Sequence, residues 1–191
     1  MGQVAKFEKN AGREHTMNAR QIGGNGAMLL VGMLIAFGCG SNEHGAGTTV
    51  ERQGQPPVTY VEDDDPRMVA AIDQARSTVD QFIAVLDGPK PTQSAFSVKL
   101  PVKSGDEVEH IWVLPVRYER SRFFGTINNE PVSVTTVKIG DEISVAKDQI
   151  SDWMYVEDRK LIGGYTLRAL RDSMSEEERR EFDQSLPFTI E

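Results

Sequence analysis

FSVKLPVKSGDEVEHIWVLPVRY, residues 96–118, is the stretch on which the fold class turns. Phe96, Val98, Leu100 and Val102 alternate with Ser97, Lys99 and Pro101, the period of two that belongs to a strand. Lys103-Ser104-Gly105-Asp106 turns the chain. A second alternation follows, with Val108, His110, Trp112, Leu114, Val116 and Tyr118 against Glu109, Ile111, Val113, Pro115 and Arg117. Apolar residues stand on both sides of this strand, which predicts a central place in the sheet.

Strand signals continue downstream. Arg122 to Ile127 reads as a third strand closed by Asn128-Asn129, and Val132 to Lys138 pairs with Glu142 to Ala146 around Gly140-Asp141. Trp153 to Glu157 and Lys160 to Tyr165 form a last hairpin about Asp158-Arg159. Gly163-Gly164 inside it marks a bulge or a close backbone approach. Upstream, Asp65 and Pro66 open a helix in which Met68, Val69, Ile72, Ala75, Val79, Phe82, Ile83 and Leu86 make one apolar stripe. Arg76 and Asp80, four apart, are expected to pair on its outer face. Thr166 to Met174 returns to helical spacing, and Ser175 with Glu178 writes a capping box for a final helix. The sum is an α+β domain over residues 66–191. It has an N-terminal amphipathic helix, an antiparallel sheet or small open barrel of about six to seven strands, and C-terminal helices.

The first 65 residues read differently. Met28 to Gly38 is an unbroken apolar or glycine run followed at once by Cys39. As a helix it would span about 16 Å, half a bilayer core, so it fits a signal-peptide h-region better than a membrane span. Lys6, Lys9, Arg13 and Arg20 supply the positive region before it. Ala36-Phe37-Gly38-Cys39 resembles the lipobox of bacterial lipoproteins, which implies cleavage before Cys39 and lipidation of its thiol. The bland alternative is a buried helix at 28–38 with Cys39 as a core thiol. Residues 1–38 are therefore expected to be a signal peptide, with Met17 a second plausible start, and 39–65 a lipidated cysteine and flexible linker. A tether of that length and composition spans on the order of 30 Å. The expected address is the bacterial cell envelope, with the chain facing the periplasm or the exterior.

Composition narrows the function classes. The 191 residues carry 21 Lys+Arg against 29 Asp+Glu, a net charge of -8, which disfavours nucleic acid as a partner. One cysteine excludes a disulfide framework, and three scattered histidines are too few for a zinc site. Glu62-Asp63-Asp64-Asp65 lacks the glycine and distal glutamate of an EF-hand loop. No serine lies in a G-x-S-x-G elbow, and Gly163-Gly164 lacks the Lys-Ser/Thr of a phosphate loop. No cofactor and no metal are expected.

The segments FSVKLPV, GDEVEHIWVLPV, RFFGTINNEP, KIGDEISVAKDQISDWMYVEDRKLIGGYTLRAL and SEEERREF, between about Phe96 and Phe182, resemble the YegJ-like family of uncharacterised bacterial domains. Arg159 stands where a glycine often follows the acidic pair of the last hairpin. The resemblance implies a fold and no mechanism.

Four residues remain as binding candidates: His110, Trp112, Asp152 and Trp153. His110 is next to Trp112 along one strand face, with Glu109 on the other. Asp152 can cap a turn or a helix start, while Trp112 and Trp153 could line a recognition groove. The expected role is a non-enzymatic protein- or peptide-binding module, anchored to a membrane through lipid. The alternative is a hydrolase using His110 with an acidic partner.

Overall fold

The computed structural model describes residues 65–105, 108–128 and 130–191 in full, and the backbone course of 34–37, 49–52, 55–61 and 107. Cys39 and the remainder of the expected leader lie outside the described residues. The described elements are β1 (Leu34–Phe37), β2 (Thr49–Arg52), β3 (Gln55–Val61), α1 (Pro66–Asp87), β4 (Gln93–Ser104), β5 (Glu107–Glu119), β6 (Arg122–Ile127), β7 (Glu142–Ala146), β8 (Asp152–Glu157), β9 (Lys160–Gly163), α2 (Tyr165–Ser173) and α3 (Glu176–Ser185).

Strands β4 to β9 make an open antiparallel sheet in the order β7-β6-β5-β4-β8-β9, and with three helices the domain is α+β. The opening hairpin forms as its alternation predicts, with Val98 opposite Val113 and Ser104 opposite Glu107. β4 pairs β8 on its other side, from Gln93 opposite Glu157 to Lys99 opposite Asp152. β1 joins the sheet beside β5, and β3 and β2 follow it. A segment read as a strandless linker over 39–65 thus carries two strands. Their partners are each other and β1 from outside the segment, contacts that no local pattern displays.

Helix α1 begins where Asp65 accepts the Arg67 N–H at 2.8 Å and Pro66 takes the first turn. Its stripe packs Ala75, Val79 and Phe82 onto Val98, Leu100, Ile111, Val113, Trp153 and Tyr155. Phe82 is the hub, with ring centroids of Trp153, Phe123 and Phe96 at 5.2, 5.8 and 6.0 Å. Burying each such ring contributes roughly 2–3 kcal/mol. On the opposite side of β8, Met154 and Val156 pack with Trp112, Leu161, Leu167, Leu170, Phe182 and Phe188. Both faces of the sheet are therefore covered around β4, β5 and β8, while β6 and β7 keep one half-exposed face.

Three local expectations are corrected. Arg76 does not pair with Asp80: its Nε donates to the Ile150 carbonyl at 2.9 Å, and Asp80 takes Lys147 at 2.7 Å. Val132 to Lys138 is an irregular loop, and β7 pairs β6 directly. The N–H groups of Val132, Ser133 and Val134 go to a side chain, described below, and so have no ladder to join. Register also shifts between Val113 and Val116, which moves Val116 to the side of Ile111 and Val113, away from Trp112.

The glycine pair earns its place. Asp158 and Arg159, both at positive φ, close the β8–β9 hairpin as a two-residue turn. At its far end Gly163 has φ +72, and an added Cβ would collide with the Trp153 carbonyl and approach its ring at 2.6 Å. Gly163→Ala is expected to destabilise the domain by about 3 kcal/mol or more, through forbidden φ and overlap with rigid backbone. A urea unfolding midpoint within error of the wild type would show that the hairpin can move away.

Candidate functional site

The polar residues of the opening stretch do not face water. Lys99 stands directly opposite Trp112 on β5 and Asp152 on β8, so the three share one sheet face. Lys99 and Asp152 are 0% exposed, Thr166 1% and Trp112 3%. The layer of α2, α3 and the C-terminal tail that buries Trp112 and Met154 turns this face into interior. His110, two residues before Trp112, lies on the same face and is buried.

Asp152 organises the cluster. Its Oδ1 accepts the N–H of Trp153 at 2.8 Å and of Tyr165 at 3.1 Å. Its Oδ2 accepts the Thr166 N–H at 2.8 Å and the Thr166 hydroxyl at 2.6 Å. The carboxylate thus satisfies the first amides of α2 from a neighbouring strand, a cap supplied from a distance because the N-cap position is Gly164. Lys99 Nζ donates to Thr166 Oγ1 at 3.2 Å and sits 5.3 Å from the centre of the Trp112 ring. Ser151, also fully buried, donates its N–H to the Lys99 carbonyl at 2.8 Å.

Enclosure sets the electrostatics. Burial pushes the Lys99 ammonium down to about 8, against the opposing pull of the Asp152 charge. Burial likewise raises Asp152, while its bond from Thr166 and the charge of Lys99 resist the rise. His110 is held well below its ordinary value, first by burial and then by the positive charges of Lys99 and Arg76. It is a neutral imidazole at physiological pH. Glu109 points to the opposite face and is likewise fully buried. Its carboxylate accepts the N–H groups of Val132 at 2.9 Å, Ser133 at 3.0 Å and Val134 at 3.3 Å.

Of the residues singled out by sequence, His110, Trp112 and Asp152 share one face. Trp153 is on the other, where its ring stacks on Phe82 and its Nε1 donates to the Ala75 carbonyl at 2.9 Å. The two tryptophans, at 3% and 2% exposure, therefore do not form a common groove. Lys99 and Thr166 went unnoticed as site residues. The available signal was a lysine in mid-strand facing an aspartate and a tryptophan, and it becomes visible only once register is known. Among the described residues no group of three or more His, Cys, Asp or Glu could hold a metal ion. No helix among them is long and apolar enough to cross a membrane.

Comparison with known proteins adds a family. A family described as uncharacterized proteins conserved in bacteria (DUF2314) matches residues 65–189. The uncharacterized protein YegJ of Escherichia coli (strain K12) is 38% identical over 123 residues, covering 64% of this chain and 79% of that protein. A protein of Neisseria meningitidis serogroup B, named as a putative ankyrin repeat protein, is 33% identical over 138 residues. That match covers 68% of this chain and 54% of the Neisseria protein. No solved structure matches the chain.

Proposed function

Because the chain belongs to the DUF2314 family of uncharacterized bacterial proteins, we propose that its domain is a non-enzymatic protein- or peptide-binding module, held at the cell envelope by a lipidated Cys39. The observation that carries the binding reading is the enclosure of the polar cluster. A catalytic group must touch its substrate. Lys99 and Asp152 are 0% exposed, and the Asp152 carboxylate is occupied by donors of its own chain. Burial and the charges of Lys99 and Arg76 hold the His110 imidazole well below its ordinary value. Such a cluster fixes strands and helix to one another. The name of the Neisseria relative points the same way, since ankyrin repeats stack into extended binding surfaces.

The test is retention of an envelope component. Detergent-solubilised envelopes passed over the immobilised processed chain, purified from the membrane fraction, should lose a component saturably, and free processed chain should compete for it. Retention that never saturates, or that free chain does not reduce, rejects the binding reading. The tether has its own measurement. Wild-type chain should follow the membrane fraction, while Cys39→Ser should remain unprocessed and leave the washed membrane. Equal fractionation of the two rejects lipidation.

A further inference from the structure

Strand β1 is an interior strand. Leu34 to Phe37 pair in parallel with Val58 to Val61 of β3, while Ile35 to Phe37 pair antiparallel with His110 to Val108 of β5. The run read as a removable leader is thus the strand that joins β3 to the rest of the sheet. Cleavage before Cys39 belongs to the proposed function, and this inference rests on that reading. Cleavage would take β1 away and leave two facing edges, each with unpaired N–H and C=O groups.

One wall of that gap is rigid. β5 is paired by β4 along its other side from Glu107 to Val113, and Glu109, in the middle of the vacated edge, is fixed by the Val132–Val134 amides. We propose that the gap between β5 and β3 is the module's peptide-binding slot, filled in the processed chain by an extended apolar segment of a partner protein. The segment would run antiparallel to Val108–His110 and parallel to Val58–Val61, as strand addition requires. The chemistry of the guest follows from the present occupant, Leu34-Ile35-Ala36-Phe37: four residues, uncharged, apolar and free of proline. In the precursor the leader keeps the slot shut, so binding begins only after processing.

Amide hydrogen exchange on the purified unprocessed chain tests this, with Cys39→Ser carried by every form compared, the one with wild-type residues 34–37 included. Ile35→Pro removes an N–H and disfavours a central strand, leaving the rest of the chain intact. A second variant with Gly-Ser-Gly-Ser at 34–37 serves if the proline chain does not fold. The amides of Val108–His110 and Val58–Val61 should exchange at least about tenfold faster in either variant than in wild type. A soluble peptide carrying Leu-Ile-Ala-Phe between lysines should restore slow exchange, and the same peptide N-methylated along those four residues should not. Slow exchange in both variants without peptide would mean that β3 closes onto β5, and would overturn the slot. Fast exchange in wild type, or a peptide without effect, would overturn it equally. Membrane fractionation and saturable envelope retention that survive such a result would leave the tethered-binder reading standing and reject the slot alone.

Discussion

Asp152→Ala is expected to be the most damaging conservative-volume truncation in the domain, lowering unfolding free energy by about 4 kcal/mol or more. The substitution strands four donors at once: the N–H groups of Trp153, Tyr165 and Thr166 and the Thr166 hydroxyl. Each buried donor without a partner costs about 1–3 kcal/mol, and an ammonium left without its counter-charge adds to this. The sum is limited because Lys99, at about 8, can shed its proton. Lys99→Met should be milder, about 1 kcal/mol or less, because the carboxylate keeps its amide donors. Urea unfolding followed by near-ultraviolet circular dichroism measures both. An Asp152→Ala chain as stable as Lys99→Met would refute the central role of the carboxylate.

The same pair gives a pH dependence whose sign is fixed. Lys99 releases its proton near 8 in the folded chain and near its ordinary 10.5 in the unfolded one. Between those values the unfolded state holds more protons, so this group makes stability rise with pH across that window. Below it, the contribution is lost. Lys99→Met should remove the rise, and an unchanged alkaline profile would place the titration elsewhere.

Glu109→Ala should cost about 3 kcal/mol, for a different reason. Here the donors are chiefly backbone: the amides of Val132, Ser133 and Val134 converge on one enclosed carboxylate, and the Ser133 hydroxyl joins them at 3.4 Å. Val134 is itself a core residue, so freeing its amide also loosens the packing of the loop against Ile127 and Ile143. Glu109→Gln keeps one acceptor oxygen and should fall roughly midway. Exchange of the 132–134 amides should accelerate in both variants before the rest of the domain is affected. If those amides stay as slow as in wild type, the loop is held by something other than Glu109.

Much of this was legible in residues alone. The Asp65-Pro66 start and the apolar stripe of α1, the hairpin at 96–118, the Asp158-Arg159 turn and the Ser175–Glu178 box all depend on neighbours within a few residues. Local chemistry decides such features. Lys99 shows where that logic stops. Alternation assigned its side of β4, yet whether that side meets water depended on α2, α3 and the tail, which begin more than sixty residues later. Val132–Lys138 fails in the same way: its β-branched pattern is that of a strand, but Glu109 takes the amides of Val132, Ser133 and Val134 at its start.

Residues alone were enough for the α+β class, for the order of elements from α1 onward apart from the 132–138 loop, and for an apolar run ending at Cys39, because period and capping are written in short stretches. That Lys99, Trp112 and Asp152 meet, that Trp153 is turned away from them, and that Leu34–Phe37 stands between β3 and β5 came from long-range pairing. Register across strands and the covering of a sheet face arise from contacts distant in sequence, and no local periodicity encodes them.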